Sequence, residues 1–192
     1  MSGEPNLTTG NIIHSTKSGA KRIFQMCEIP IAMSAYDISD RNEFELALAR
    51  LITNNLDVNT WIFKIDDEFG SRGTAFLNVD SLKTIQELRR RKVNLNEDII
   101  RRLQATLCKL LPKKTKFAHP TLWSGGFEQY MAEFCRVGGV IECAPPLCAL
   151  GKLKFPSVSF LIEPDGETKL IGSFDKFHGP CISGVAIGCT AP

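Results

Sequence analysis

Apolar residues recur along the chain with two different spacings, and each spacing predicts one kind of element. Intervals of three and four residues predict helices over residues 17–27, 40–52, 80–91, 96–110 and 127–135. Short runs rich in β-branched and aromatic residues predict strands over 29–38, 58–65, 74–79, 140–146, 157–162, 168–174 and 181–189. Helices and strands are mixed along the whole chain, so we expect an α+β fold.

The two strands at 58–65 and 74–79 enclose the most informative loop. It is polar and contains Gly70 and Gly73, while Lys64 stands near the end of the first strand. An ordinary hairpin with a solvated lysine explains these residues. Glycines also let backbone amides approach an anion, and an ammonium directed at the loop would complete a phosphate site. Both interpretations stay open on the pattern alone.

Two further positions bear on the organisation of the chain. The basic, proline-bounded segment 112–120 is the best internal boundary. Glu142 is a lone carboxylate among apolar neighbours in the strand 140–146, and a buried glutamate needs a partner. That partner is either a backbone amide or lysine in a structural role, or a ligand.

Composition excludes several classes of protein. A formal net charge of +2 favours neither nucleic acid nor a membrane surface as a partner. The chain has no apolar run of spanning length and no signal pattern at its start, so we expect a cytoplasmic location. Its 7 cysteines include no Cys-x-x-Cys pair, which favours reduced thiols over a metal site.

The predicted helix 80–91 contains a partial motif for a protein partner. Residues 85–90, Ile-Gln-Glu-Leu-Arg-Arg, fit the first half of a calmodulin-binding IQ motif. Arg91 stands at the motif's glycine position and Leu95 at its second basic position. Helical spacing explains the same residues, so calmodulin is a candidate partner and no more.

The order of these elements resembles the nucleotide-binding region of the ATP-grasp superfamily. Lys17 precedes Pro30 by 13 residues, and Lys64 precedes the Arg72-Gly73 pair by 8 and 9, separations similar to those of the family's two phosphate-binding lysines. The resemblance covers roughly residues 15–190. Within the superfamily, residues 64–76 and 138–146 most resemble an ATP-grasp-like region of a larger animal protein.

This resemblance implies a fold and a division of the chain. The fold would have two small α/β lobes with largely antiparallel sheets around a nucleotide cleft, truncated at its C-terminal end. Residues 1–15 would be a mobile tail, 16–120 the N-terminal lobe with the phosphate loop, and 121–192 a strand between lobes with part of the C-terminal lobe.

The resemblance also implies which residues bind ATP. Lys64 would contact the α- and β-phosphates, with Lys17 as a second contact. The flap over the phosphates would consist of Gly70, Ser71, Arg72 and Gly73. Adenine would lie against residues 141–145, with Glu142 and the backbone of Cys143 at its polar edge and Ile141 or Pro145 at its face.

Departures from the family pattern limit the functional expectation. Asp66, Asp67 and Glu68 stand where small neutral residues are usual, and carboxylates beside a triphosphate repel it. The family's Mg²⁺ ligands lie on strands beyond the end of this chain, so we expect no ligase activity from the chain alone. Two functions remain open: an ATP-binding, ligase-like fragment, or a non-catalytic interaction module.

Overall fold

A computed structural model describes residues 15–91, 96–145, 156–178 and 186–189. The chain divides into two compact units, residues 1–144 and 145–192, and each is described by itself. The predicted N-terminal tail, apart from Ser15, and residues 181–185 of the last predicted strand lie outside the described residues.

The first unit is built on one five-stranded sheet. Its strands are β1 (Ser34–Ile38), β2 (Thr60–Ile65), β3 (Thr74–Asn78), β4 (Lys116–Phe117) and β5 (Gly139–Cys143). They lie in the order β1-β5-β2-β3-β4, and every neighbouring pair is antiparallel. The helices are α1 (Lys17–Met26), α2 (Arg41–Asn54), α3 (Lys83–Arg91), α4 (Glu97–Lys114) and α5 (Gly126–Val137), with a 3₁₀ turn at Pro120–Trp123. The predicted mixed α+β architecture with antiparallel sheets is confirmed.

The core fills one face of this sheet. Alternation along β2 points Trp61, Phe63 and Ile65 to the same side, where all three are fully buried. The ring of Phe44 from α2 meets Phe63 edge-on at 4.9 Å and Phe134 from α5 at 5.1 Å. Burial of each such side chain contributes about 1.5–3 kcal/mol, so this face holds the helices to the sheet.

The internal boundary differs from the expected one. The compact units divide after Ala144, whereas residue 120 was expected from the basic, proline-bounded segment. Helix α4 continues through Pro112 to Lys114, because Leu111 is fully buried and its carbonyl still accepts from Thr115 at 3.1 Å. Strand β5 lies between β1 and β2 and so belongs to the first unit.

The second unit is a three-stranded antiparallel sheet. It consists of β6 (Pro156–Ile162), β7 (Thr168–His178) and β8 (Ala186–Cys189), in that order. Glu163 and Glu167 close the predicted turn between β6 and β7 through a 2.9 Å backbone hydrogen bond, and Gly166 has a φ of +90° there. Among the described residues, no helix has both the length and the apolarity to cross a membrane.

Candidate functional site

The face of the sheet opposite the core carries the candidate site. Strand pairing sets Ile62 opposite Glu142 and Lys64 opposite Val140. Because side chains alternate along a strand, these four residues lie on the sheet face opposite the one that carries Trp61 and the core. Two charged side chains from different strands therefore stand side by side on one sheet face.

Helix α1 lies over this face and turns it into a cleft. Four of its residues occupy positions i, i+3, i+4 and i+7, which lie on one side of a helix: Lys17, Ala20, Lys21 and Phe24. Together with Lys64, Val140 and Glu142 they line a cleft of about 240 Å³. The cleft therefore combines three lysines and one carboxylate with a small apolar wall.

Glu142 bridges two of these lysines. Its Oε2 lies 2.8 Å from Lys21 Nζ, and its Oε1 accepts a hydrogen bond from Lys64 Nζ. Burial by itself would raise the pKa of Glu142, but the charges and hydrogen bonds of the two lysines outweigh it, so the pKa lies below its ordinary value. The carboxylate is thus ionised at neutral pH and satisfied by lysines.

Lys17 makes a different set of contacts. Its ammonium donates to the carbonyl oxygens of Ile65 at 2.6 Å, Asp66 at 3.0 Å and Glu68 at 2.7 Å. Burial is the main cause of its lowered pKa. An ammonium has three protons to donate, and Lys17 uses them on the backbone that leaves β2. Lys17 therefore anchors the start of the loop between β2 and β3.

Three ring side chains fasten the other end of the same loop. His119 Nε2 lies 3.0 Å from the Gly70 carbonyl oxygen, Trp123 Nε1 donates to the Arg72 carbonyl at 2.8 Å, and Tyr130 donates its hydroxyl to the Gly73 carbonyl at 3.1 Å. Burial raises the pKa of Tyr130, so its hydroxyl remains a donor. These hydrogen bonds fix the orientation of three peptide groups in the loop.

The loop backbone has conformations that suit an anion site. Gly70 and Ser71 have φ values of +60° and +62°. A side chain at Gly73 would bring its Cβ within 2.7 Å of Glu68 Cβ, so only glycine fits. In the hydrogen bonds formed among the described residues, the amides of Gly70 and Ser71 are not used as donors. These two residues are the centre of a turn that the Arg72 amide closes on the Phe69 carbonyl at 3.2 Å, and turn amides without an internal partner can donate to an anion.

The acidic residues of the loop have structural partners. Asp66 Oδ1 accepts from the Ser18 amide at 2.8 Å, at the N-terminal end of α1 where a negative charge is stabilised. The Ser18 hydroxyl in turn accepts from the Asp37 amide of β1 at 3.1 Å, which fixes α1 on the sheet. Glu68 lies 3.8 Å from Arg72, and Asp67 is exposed. The negative charge of Asp66, which was expected to repel a triphosphate, is therefore stabilised by the Ser18 amide at the start of α1.

The structure brings together part of the expected site. Lys17, Lys64 and Glu142 line one cleft, and the expected flap residues lie on the adjoining loop. The amide of Cys143 donates to the Met33 carbonyl at 2.9 Å, and Pro145 is exposed at the start of the second unit. Their roles toward adenine stay predictions.

Two features of the site were not anticipated. Ile141 is fully buried in the core, because it alternates with Glu142 and so points away from the cleft. It does not present a face to adenine. Lys21 was overlooked, although its position four residues after Lys17 places both lysines on one helix face.

The segment with the partial IQ motif is used by the fold. Ile85 is fully buried, and Arg89 donates to Asp80 at 2.6 Å and to the Val58 carbonyl at 3.3 Å. Presenting Ile85 to calmodulin would require α3 to leave the core. Within the described residues, no group of three or more His, Cys, Asp or Glu side chains could hold a metal ion.

Comparison with known proteins gives two matches. Residues 10–192 match a family model described as "IQCH-like, ATP-grasp". The chain is 31% identical over 191 residues to IQ motif-containing protein H of Danio rerio, an alignment that covers 94% of this chain and 18% of the relative. The chain thus spans less than a fifth of the length of that relative. No solved structure shows a significant match.

Proposed function

The chain belongs to the IQCH-like ATP-grasp family, and from that premise we propose that it binds ATP in the cleft between α1 and the face of β2 and β5. The observation that carries the proposal is the charge of the cleft. Its lining contains Lys17, Lys21 and Lys64 but only one carboxylate, Glu142, which leaves an excess of two positive charges. Lysines are compact donors for phosphate, and a triphosphate carries several negative charges.

The phosphates would lie between Lys64 and the loop. The loop carbonyls are held by Lys17 and by three ring side chains, which leaves the amides of Gly70 and Ser71 for an anion. The base would lie along the apolar wall, where Phe24 exposes 42% of its surface. A cleft of about 240 Å³ is smaller than the pockets of about 300 Å³ or more that enclose whole ligands, so it would hold part of the nucleotide.

The proposal is one of binding. It includes no chemical step on Mg²⁺. In the ATP-grasp superfamily that this chain resembles, the metal neutralises charge on the phosphates. Here Lys64 is the residue that would pair with the bound anion, while Lys21 adds positive charge to the same cleft.

Thermal unfolding with and without ATP tests this function. At an ATP concentration about 100-fold above Kd, binding stabilises a protein by about 2.7 kcal/mol, which for a chain of this size raises Tm by about 5–10 °C. We expect Lys64→Ala to abolish that rise. Lys83→Ala, which removes an exposed lysine from α3, is the matched control and should retain it. An unchanged Tm at millimolar ATP, with or without magnesium, would refute the proposal.

A further inference from the structure

The Glu142 carboxylate lies between two cleft lysines, the position in which an anionic ligand would bind. Each of its carboxylate oxygens takes one ammonium, Lys21 on Oε2 and Lys64 on Oε1. The side chains of Lys21 and Glu142 are each 13% exposed, whereas that of Lys64 is 32% exposed. An anion entering the cleft therefore reaches Lys64 first and meets an ammonium that already has a carboxylate partner.

A phosphate and the Glu142 carboxylate cannot share Lys64 without repulsion. Two anions at hydrogen-bonding distance from one ammonium lie within a few ångströms of each other, where like charges interact strongly in a half-buried site. Lys21 holds the second carboxylate oxygen at 2.8 Å, so Glu142 keeps one cation after it releases Lys64. The arrangement therefore permits an exchange on Lys64 alone.

A second observation provides a new partner for the released oxygen. Ser34 on β1 is directly opposite Glu142 in the β1–β5 register. Directly paired residues have Cβ atoms about 4.5–5.5 Å apart, within reach of a glutamate side chain. The hydroxyl of Ser34 is buried and has no hydrogen-bond partner among the described residues. Buried hydroxyls without a partner are rare, and this one lies beside the carboxylate that must move.

We propose that Glu142 is an internal competitor of the ligand: phosphate displaces its carboxylate from Lys64, and the carboxylate then rests on Lys21 and the Ser34 hydroxyl. This inference rests on the proposed function, since it concerns how the same cleft admits its anion. It makes Glu142 a residue that sets affinity for the phosphate part of the ligand. It also gives Lys21 a role in binding, as the residue that retains Glu142.

Calorimetric titration with inorganic triphosphate tests the exchange, because this probe contains the phosphates without adenine. Glu142→Gln keeps the shape of the side chain and removes its charge, so we expect affinity to rise about tenfold. Glu87→Gln removes the same charge from an exposed position on α3 and should leave affinity unchanged. Ser34→Ala keeps both lysines and Glu142 but removes the new partner, and we expect it to weaken binding several-fold.

The outcomes separate this inference from the proposed function. If Glu142→Gln binds triphosphate no more tightly than the unaltered protein, Glu142 is not a competitor and the inference is overturned, even where ATP raises Tm. If Glu142→Gln folds poorly, Ser34→Ala decides: unchanged affinity overturns the inference, and weaker affinity supports it. If triphosphate shows both effects while ATP leaves Tm unchanged, the exchange stands and ATP as the ligand is refuted.

Discussion

Lys17→Met separates two roles of one lysine, because methionine keeps an apolar stem of similar length and loses the ammonium. A hydrogen bond that involves a charged group contributes about 1.5–3 kcal/mol net to stability, and Lys17 donates three of them to loop carbonyls. Burial of the ammonium, the main cause of its lowered pKa, opposes them. We expect Lys17→Met to lower the free energy of unfolding of the ligand-free protein by about 2 kcal/mol, which lowers Tm by about 4–8 °C for a chain of this size.

The rate of trypsin cleavage at Arg72 measures whether the loop between β2 and β3 loosens when Lys17 is replaced. The Arg72 side chain is 62% exposed on the loop, so its peptide bond becomes a substrate once the loop loosens. Lys17→Met should speed cleavage there. Lys64→Met removes another of the three cleft lysines, one that donates to no loop carbonyl, and should leave the cleavage rate unchanged. If Lys17 served only to bind phosphate, its removal would leave the ligand-free Tm and the cleavage rate unchanged, and that result would refute the anchoring role.

Two further predictions concern strand β5. Gly139→Ala would place a Cβ 2.5 Å from the Lys64 carbonyl oxygen, so we expect the free energy of unfolding to fall by about 1–3 kcal/mol. Gly172→Ala is the control, because its Cβ would meet open space, and its free energy of unfolding should change by less than about 0.5 kcal/mol. Unfolding followed by circular dichroism measures both. The lowered pKa of Glu142 stabilises the folded state above the ordinary value of 4.5, and this stabilisation is lost as pH falls through the lowered folded value. The difference in unfolding free energy between the unaltered protein and Glu142→Gln should therefore be present at neutral pH and disappear in acid; a difference that persists in acid would show that charge is not its cause.

Runs rich in β-branched and aromatic residues were sufficient to predict much of the sheet, since they located β2, β3 and β5. Alternation of side chains along a strand then places Lys64 on the face opposite Phe63 and Ile65. The same rule places Ile141 and Glu142 on opposite faces, so Ile141 was a poor candidate for adenine from the start. What alternation does not provide is strand order, and the position of β5 between β1 and β2 is what brings Glu142 beside Lys64.

No sequence pattern could predict the hydrogen-bond partners of Lys17. They are backbone carbonyls 48 to 51 residues further along the chain, and a carbonyl has the same chemistry at every residue. Local rules also failed at Pro112, where proline predicted the end of a helix. Proline removes the amide that would donate to the carbonyl four residues earlier, but burial of Leu111 outweighs this cost and continues α4 to Lys114.

The three cleft lysines differ in the kind of partner each one holds, and this difference decides which of them a ligand can recruit. Lys17 is held by three carbonyl dipoles that belong to the loop itself, so a phosphate that took its ammonium would have to break the loop it also needs. Lys64 is held by one carboxylate on a side chain that can rotate. Exchange of anion for anion on Lys64 preserves the backbone and the number of charge-assisted hydrogen bonds, which makes Lys64 the exchangeable cation of the site and Lys17 its fixed one.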